Sequence, residues 1–350
     1  MTLSRLPRLF VYYRGSAFTT HYHKYKYAQI MRHYAVVATI LSLLLTLSGC
    51  KTDITFAIPG HPLLFGDEPE YSKTEYPIVL VHGLYGFDDI FGHEYFYQIP
   101  KVLRNGGAEV YIARISGTMT PEVRGEQLIP QLEEFAAVSG QSKFNLIGHS
   151  LGAPTIRYVA AVRPDLVASI TSVAGANFGT DVADAEFLDF PPTRLITGLM
   201  GNLLGHAIDF VSQDNFEQSI LATLDVMSVE GIAVFNSKYA DALPSALCAA
   251  DGNSLVNGIY YYSWGGNVAT TNRFDPADLV QAAVTKLIPG DDDDGIIPRC
   301  SMQLGHVIRD DYKMNHADHL NWFLGLKATD APYAPSLYRA QANRLKGLGL

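Results

Sequence analysis

The residues whose types and spacing most clearly indicate catalytic chemistry are Gly148, Ser150 and Gly152, which form a Gly-x-Ser-x-Gly pattern. The apolar run at 144–147 before it predicts a buried strand, and residues 151–162 after it predict a helix. A serine at the tip of a tight strand-to-helix turn has strained backbone angles, so its neighbours two positions away must be nearly free of side chain. The pattern predicts that Ser150 is a nucleophile. The alternative is a chance match in a glycine-containing loop.

A serine hydroxyl is a weak nucleophile unless a general base takes its proton and an acid orients that base. With this type of turn, the acid and the histidine follow the serine in the chain, in that order. His82 and His149 belong to glycine motifs and His206 to a long helix, which leaves three candidates for the base: His306, His316 and His319. The acid is expected in the aspartate run 291–294, where a solvated acidic loop is the alternative for part of the run.

A second glycine motif, His82-Gly83-Leu84-Tyr85-Gly86, follows the apolar run at 76–81. Its glycines let the loop fold back so that a backbone N–H, that of Leu84, points at the reacting centre. Donors placed in this way stabilise the negative charge that develops during acyl transfer. The motif therefore predicts half of an oxyanion hole.

The elements that must position these groups alternate along the chain. Strands are predicted at 76–81, 108–112, 144–147 and 170–174, with helices at 122–138 and 151–162. This alternation predicts a mostly parallel sheet with helices on both faces, in a single domain over 75–350. Ser150 would lie at the carboxyl end of a strand, where such sheets bind ligands.

A long helix is predicted over about 191–212, after Pro191-Pro192. Its apolar residues recur at i, i+3 and i+4, which gives a continuous stripe. The other face carries Gly198, Gly201, Asn202, Gly205 and Asp209. An ordinary cap helix is one interpretation. The other is a lid whose apolar face covers the serine in water and turns outward at a lipid interface.

Composition excludes some classes of function. The chain has 350 residues, is 48% hydrophobic and carries a formal net charge of -9. The first 49 residues hold six basic residues and no acidic ones, so the remainder has 20 basic against 35 acidic residues, a net of -15. A surface this acidic repels phosphate backbones, so nucleic-acid binding is not expected.

Residues 1–49 are predicted to be a leader whose real start is Met31. Arg32 supplies a short positive region, and residues 35–47 form an apolar stretch of signal-peptide length. The stretch ends in Leu47-Ser48-Gly49-Cys50, which resembles the lipobox of bacterial lipoproteins. Acylation of Cys50 would anchor the protein to a membrane, and Lys51 at the next position points to the outer membrane. The alternative is an ordinary cleaved signal and secretion. Residues 50–74 are predicted to be a linker.

The other two cysteines, Cys248 and Cys300, form an even pair in an exported protein, where disulfides persist. A bond between them would close a loop of about fifty residues, which the chain-entropy model values at roughly 4 kcal/mol. Two buried free thiols are the alternative.

Several motifs together resemble one family, the Pseudomonas-type bacterial true lipases, which are secreted triacylglycerol lipases that mature with a dedicated foldase. The resemblance spans about residues 76–346. The segments that carry it include Tyr76-Pro77-Ile78-Val79-Leu80-Val81-His82-Gly83, Glu122-Val123-Arg124-Gly125-Glu126, Phe274-Asp275-Pro276-Ala277-Asp278 and Ala342-Asn343-Arg344-Leu345. It implies the α/β-hydrolase fold with a helical lid.

The resemblance also implies roles for individual residues. The catalytic acid falls on Asp294 and the base on His316, with the backbone N–H groups of Leu84 and Leu151 as oxyanion donors. Arg124 matches an arginine that braces the oxyanion loop.

The family binds one structural Ca²⁺, and the resemblance places its carboxylate ligands on Asp275 and Asp318. Backbone carbonyls of Trp322 and Leu326 would complete the oxygen set that Ca²⁺ prefers. Relatives usually carry glutamine at the position of Trp322. Another departure is Gly175-Ala176-Asn177-Phe178-Gly179, where relatives tend to show Pro-His.

The expected function is therefore hydrolysis of triacylglycerols through an acyl-enzyme, by a monomer acting at an oil–water interface. An esterase or polyester hydrolase with the same triad is the alternative. A non-catalytic, lipid-anchored envelope protein that binds acyl chains is a third interpretation.

Overall fold

The computed structural model describes residues 69–350, except for residues 91, 186–187, 189 and 289–291. The leader, Met31, Cys50 and most of the 50–74 linker lie outside the described residues, so those interpretations stay predictions. The described chain is packed from its first turn, because Ser72 is buried and its N–H donates to the carbonyl of Gly106 (2.8 Å). The folded body thus already includes residues before Glu75.

A central sheet organises the described part of the chain. Its strands are β1 (Ile78–Val81), β4 (Val110–Ile112), β5 (Phe144–His149), β6 (Val167–Val173), β7 (Leu255–Val256), β8 (Ile259–Gly266) and β9 (His306–Tyr312), while β2 (Asp89–Ile90) and β3 (His93–Glu94) form a separate ribbon. The order is β4-β1-β5-β6-β8, with β7 and β9 both paired to β8. Within the sheet only the β7–β8 pair is antiparallel. The predicted mostly parallel sheet is confirmed.

Helices cover both faces of this sheet. They are α1 (Ile99–Asn105), α2 (Pro121–Ser139), α3 (Gly152–Val162), α4 (Pro191–Ser212), α5 (Ile220–Met227), α6 (Val229–Lys238), α7 (Pro276–Leu287), α8 (Trp322–Gly325) and α9 (Ala334–Gly347). The side chains of β1 point alternately to the two faces, as strand geometry requires. Val79 and Val81 pack with residues of α2 and α3, whereas Ile78 and Leu80 pack with residues of α1 and α9.

Because β1, β5 and β9 run parallel, their carboxyl ends meet at one edge of the sheet. The His82–Gly86 loop follows β1, Ser150 follows β5 and the loop with His316 follows β9. Three segments far apart in sequence thus reach the same place.

Helix α4 covers the predicted lid range, but its orientation differs from the one expected for a lid closed in water. Its glycine and polar face packs on the body: Asn202 Oδ1 accepts from the Ile220 N–H (2.8 Å), and Asp209 Oδ2 accepts from the Phe216 N–H (2.9 Å) and from Gln218 Nε2 (2.8 Å). The apolar stripe points outward, and Leu195, Leu199 and Leu203 are each more than 60% exposed. The glycine face packs inward because glycines allow close approach. The Asp209 carboxylate and the Asn202 amide also find hydrogen-bond partners on that side.

Candidate active site

Ser150 lies on the turn between β5 and α3, with φ +56°. The turn is tight: a Cβ on Gly148 would lie 2.4 Å from the Gly152 carbonyl oxygen, and a Cβ on Gly152 would lie 2.3 Å from the Val81 carbonyl oxygen. Both positions therefore require glycine. The left-handed backbone at Ser150 is strained for a residue with a side chain, and such strain concentrates at functional sites. The geometry is that of a nucleophile elbow.

The imidazole of His316 contacts one carboxylate of the aspartate run. His316 Nδ1 lies 2.7 Å from Oδ2 of Asp294, and the His316 N–H donates to the Asp294 carbonyl (2.9 Å). Asp294 is fully buried, and its Oδ1 accepts from the N–H groups of Ile296 (3.1 Å) and Ile297 (2.8 Å). A buried carboxylate on Nδ1 fixes the tautomer and leaves Nε2 to act as the base.

The other candidates for acid and base lie in different surroundings. His306 is exposed at the start of β9, so it sits toward the opposite edge of the sheet from Ser150. His319 is buried, and neither of its ring nitrogens has a hydrogen-bond partner in the described structure. Asp292 forms an ion pair with Arg299 (2.7 Å). Asp291 is not among the described residues.

The His316 loop lies against the elbow. The ring of His149, the residue before Ser150, is 4.6 Å from the ring of His316 between centroids. His149 Nε2 is 3.2 Å from the His316 carbonyl oxygen. The structure therefore brings Asp294, His316 and the elbow together from three separate loops.

The loop after β1 completes this arrangement. A Cβ on Gly83 would lie 2.8 Å from the Cβ of Ser150, so the loop runs directly alongside the elbow. Among the described residues the N–H groups of Leu84 and Leu151 have no hydrogen-bond acceptor. Leu151 is also the N-cap residue of α3, and the N-terminus of a helix favours negative charge.

The buried side chain of Arg124 stabilises this loop through hydrogen bonds to its backbone. Its guanidinium donates to the carbonyls of Gly83 (3.2 Å) and His82. The side chain is fully buried, and burial lowers the pKa of Arg124 to about 9. A buried cation bonded only to loop carbonyls fits the bracing role that the resemblance implied.

Asp275 and Asp318, the predicted carboxylate ligands of Ca²⁺, are only partly satisfied by hydrogen bonds. Each carboxylate has one satisfied oxygen, since Ala277 N–H donates to Asp275 and Asn315 N–H donates to Asp318. The second oxygens, Asp275 Oδ2 and Asp318 Oδ1, are buried without a partner. Burial raises the pKa of each carboxyl to about 7. Two orphaned, hard oxygens fit a Ca²⁺ ion.

Within the described residues no group of three or more His, Cys, Asp or Glu side chains could hold a metal. A cation here would need carbonyls and water beside the two carboxylates. Of the predicted carbonyl ligands, Trp322 is the first residue of the short α8 and Leu326 directly follows that helix. The Trp322 indole N–H donates to the Tyr95 carbonyl (2.5 Å). The indole, which stands where relatives carry glutamine, packs against the rings of Phe87 and Tyr95.

Cys248 and Cys300 form a disulfide, with 4.7 Å between their Cα atoms. The bond anchors the turn that begins five residues after Asp294. The predicted pairing is confirmed.

Sequence reasoning missed several residues that surround the site. Tyr95 links His149, beside the elbow, to Gly83 in the loop after β1, and no spacing rule singles out one tyrosine in an aromatic segment. Gln281 Oε1 accepts from the His316 N–H (3.2 Å). Asn315 Nδ2 donates to Asp278 (2.6 Å). Asp278 belongs to the Phe-Asp-Pro-Ala-Asp segment that carries the family resemblance, so that motif could have indicated a role near the site.

The sheet, the elbow and the buried Asp–His pair define the class of protein as an α/β-hydrolase. Residues 76–229 match the family described as the alpha/beta hydrolase fold. The chain is 44% identical over 313 residues to a triacylglycerol lipase of Vibrio cholerae, covering 88% of this chain and 98% of the relative. It is 38% identical to a triacylglycerol lipase of Pseudomonas fragi, covering 79% and 98%. The chain belongs to the Pseudomonas-type family of bacterial true lipases.

Among solved structures, the fold is similar to that of the Staphylococcus hyicus lipase. The TM-score is 0.55 at 18% identity, over 80% of this chain and 98% of that chain. At this identity the likeness supports the fold alone.

Proposed function

We propose that this protein is a serine carboxylic ester hydrolase that cleaves triacylglycerols. The observation that carries the proposal is the buried Asp294 carboxylate on Nδ1 of His316, in a loop that contacts the nucleophile elbow. The substrate class is supported by the relatives that are named triacylglycerol lipases.

The reaction follows from the placement of these groups. Ser150 Oγ attacks the ester carbonyl carbon while His316 Nε2 takes the hydroxyl proton, and Asp294 stabilises the resulting imidazolium. The N–H groups of Leu84 and Leu151 bind the oxyanion, each contributing about 3 kcal/mol to lowering the barrier. The imidazolium then protonates the leaving alcohol, and water releases the fatty acid from the acyl-enzyme by the same steps.

Two substitutions in the aspartate run test this assignment. We expect Asp294→Asn to lower kcat on a triacylglycerol by about 10⁴-fold, since the amide stabilises the wrong tautomer of His316. Asp292→Asn is the matched control, because the Asp292 carboxylate pairs with Arg299 and accepts from Asn267 Nδ2 (3.0 Å), and kcat should change less than about twofold. Ser150→Ala should abolish both turnover and labelling by a fluorophosphonate. Retained turnover in Ser150→Ala, or equal losses in the two aspartate variants, would refute the triad.

Helix α4 supports a further part of the proposal, contact with an oil–water interface. By length and composition alone the helix could cross a membrane, yet its inner face is tied to the body through Asn202 and Asp209. Its outward leucines form an exposed apolar stripe, with Phe210 84% exposed beyond them. A helix that lies flat with its apolar side outward binds at an interface rather than spanning it.

The matched test replaces leucines on this stripe. Leu199→Ser and Leu203→Ser should lower hydrolysis of an emulsified long-chain ester severalfold while leaving a soluble short-chain ester unaffected. Val138→Ser, on the exposed face of α2, is the control with similar exposure and no expected effect. Equal losses on soluble and emulsified substrates would argue against an interfacial role.

We also propose that Asp275 and Asp318 hold a structural Ca²⁺ with carbonyls of Trp322 and Leu326. The support is the pair of orphaned carboxylate oxygens. The ion would neutralise the pair and stabilise the segment that carries His316, two residues before Asp318. A chelator should therefore lower the Tm, and Asp275→Asn should remove that response. Asp311→Asn, an exposed ion-pair residue, should keep it. A Tm unchanged by chelator would contradict the ion.

Export, the anchor and the foldase complete the proposal. The apolar leader and the Leu47-Ser48-Gly49-Cys50 motif support export with acylation of Cys50. Metabolic labelling with palmitate should mark the wild type and not Cys50→Ala. An unlabelled wild type would favour plain secretion. We expect the denatured chain to need a foldase to regain activity. Refolding to full activity without one would contradict this requirement.

A further inference from the structure

A chain of three hydrogen bonds, two buried and one part-buried, connects residues 82–86, the proposed oxyanion loop, with the loop that carries His316. The Gly83 N–H donates to the Tyr95 hydroxyl (3.1 Å), and that hydroxyl lies 2.9 Å from His149 Nδ1. His149 Nε2 lies 3.2 Å from the His316 carbonyl oxygen. Tyr95 and His149 are 3% and 1% exposed, so water does not compete for these partners.

The donors and acceptors permit one arrangement of protons. The His316 carbonyl can only accept, so His149 Nε2 carries the proton and donates to it. Nδ1 of the neutral ring then accepts from the Tyr95 hydroxyl, which itself accepts from the Gly83 N–H. Burial, together with the nearby His316 and His319 rings, holds the pKa of His149 well below its usual value, so the ring stays neutral.

The two ends of this chain adjoin groups that must act together. Gly83 precedes Leu84, the proposed oxyanion donor, and the His316 carbonyl belongs to the residue proposed as the base. We propose that Tyr95 and His149 are positioning residues that set the distance between the oxyanion hole and the base across the nucleophile elbow. This inference rests on the proposed function.

The hydroxyl and the ring of Tyr95 have separable roles. The ring packs edge-on against Phe87, Phe96 and Trp322, which is ordinary core packing. Tyr95→Phe keeps those contacts and removes only the hydroxyl, which leaves the Gly83 N–H and His149 Nδ1 unsatisfied. A displacement of about 1 Å in such a site lowers the rate by about a hundredfold.

The chain offers a close control for this substitution. Tyr338 packs against Phe96 in the same core cluster and is fully buried, and its hydroxyl has no hydrogen-bond partner in the described structure. Tyr338→Phe therefore removes an equally buried hydroxyl that connects nothing. It should leave kcat and KM unchanged.

The experiment measures kcat and KM on a soluble short-chain p-nitrophenyl ester, together with Tm and the rate of inactivation by a p-nitrophenyl phosphonate. Tyr95→Phe should lower kcat and the inactivation rate by about 10- to 100-fold, with KM changed less than about twofold. His149→Gln keeps a side-chain N–H for the His316 carbonyl and should retain more activity than His149→Leu. If Tyr95→Phe folds poorly, the comparison of His149→Gln with His149→Leu still tests the positioning role.

The outcomes separate this inference from the proposed function. If Ser150→Ala is inactive but Tyr95→Phe matches the wild type, the positioning role is wrong and the triad stands. If Tyr95→Phe and Tyr338→Phe lose kcat equally, the effect is general core disruption and the positioning role is also wrong. If Ser150→Ala is active, the proposed function fails first.

Discussion

Arg124 allows a substitution in which activity and stability should respond differently. We consider Arg124→Met, which keeps a straight chain in the same buried space but removes the guanidinium. In the wild type that group donates to the carbonyls of His82 and Gly83, directly before Leu84. The oxyanion loop would lose both bonds.

The structure allows the changes in the free energy of unfolding and in kcat to be estimated. Burial lowers the pKa of Arg124 from 12.5 to about 9, which corresponds to a cost of about 5 kcal/mol for keeping the charge in the folded state. The two charge-assisted hydrogen bonds return about 3–6 kcal/mol. The terms nearly cancel, so we expect the free energy of unfolding to change by less than about 2 kcal/mol. Loss of alignment of the Leu84 donor should lower kcat by about a hundredfold.

The assay compares urea denaturation with kcat on a soluble short-chain ester. Arg157→Met is the control, because Arg157 is also buried, has a pKa lowered to about 10 by burial, and donates to the Tyr239 carbonyl (2.6 Å) away from the oxyanion loop. It should alter stability by a similar amount and leave kcat unchanged. An Arg124→Met variant with wild-type kcat, or equal losses in both variants, would refute the reasoning.

Two further predictions concern stability and the lid. Burial lowers the pKa of His82 to about 3, so the folded state binds fewer protons than the unfolded state between about pH 3 and 6.5, and stability is lost as pH falls through that window. His82→Gln should reduce the slope of unfolding free energy against pH by about 1.4 kcal/mol per unit there; an unchanged slope would contradict this. On α4, a Cβ at Gly201 would lie 2.6 Å from Ile220 and 2.8 Å from the Tyr85 hydroxyl. Gly201→Ala should therefore lower hydrolysis of emulsified esters more than of soluble ones, whereas Gly347→Ala, with open space around it, should lower neither; a Gly201→Ala variant that acts normally on emulsions would show that α4 need not pack this way.

Local sequence was sufficient for the parts of the site that depend on neighbouring residues. The Gly148-x-Ser150-x-Gly152 turn was predictable from its residue types and spacing, although the contact that excludes a side chain at Gly152 comes from Val81 of β1. Helix α4 was also predictable in extent, since its apolar period and the Pro191-Pro192 start are properties of one segment.

The face that α4 buries could not be predicted. Periodicity shows that a helix has two faces, and the apolar one was expected to pack inward in water. The body instead offers a hydrogen-bond donor for Asn202 and two for Asp209, and side chains that fit closely against the glycines. Which face packs depends on the surface opposite, and that surface comes from other segments.

The sequence by itself determined the nucleophile turn, the alternation of strands and helices, and the acidic charge of the chain after its leader, because these follow from residue types and short spacings. From the residues alone, His306, His316 and His319 were equivalent candidates, and only the resemblance favoured His316. Tertiary structure places His316 against Asp294, because the loop after β9 carries it there, while His306 lies at the start of that strand. Tyr95 joined the site in the same way. Its hydroxyl reaches Gly83 and His149 only after parallel strands have brought three loops to one edge of the sheet.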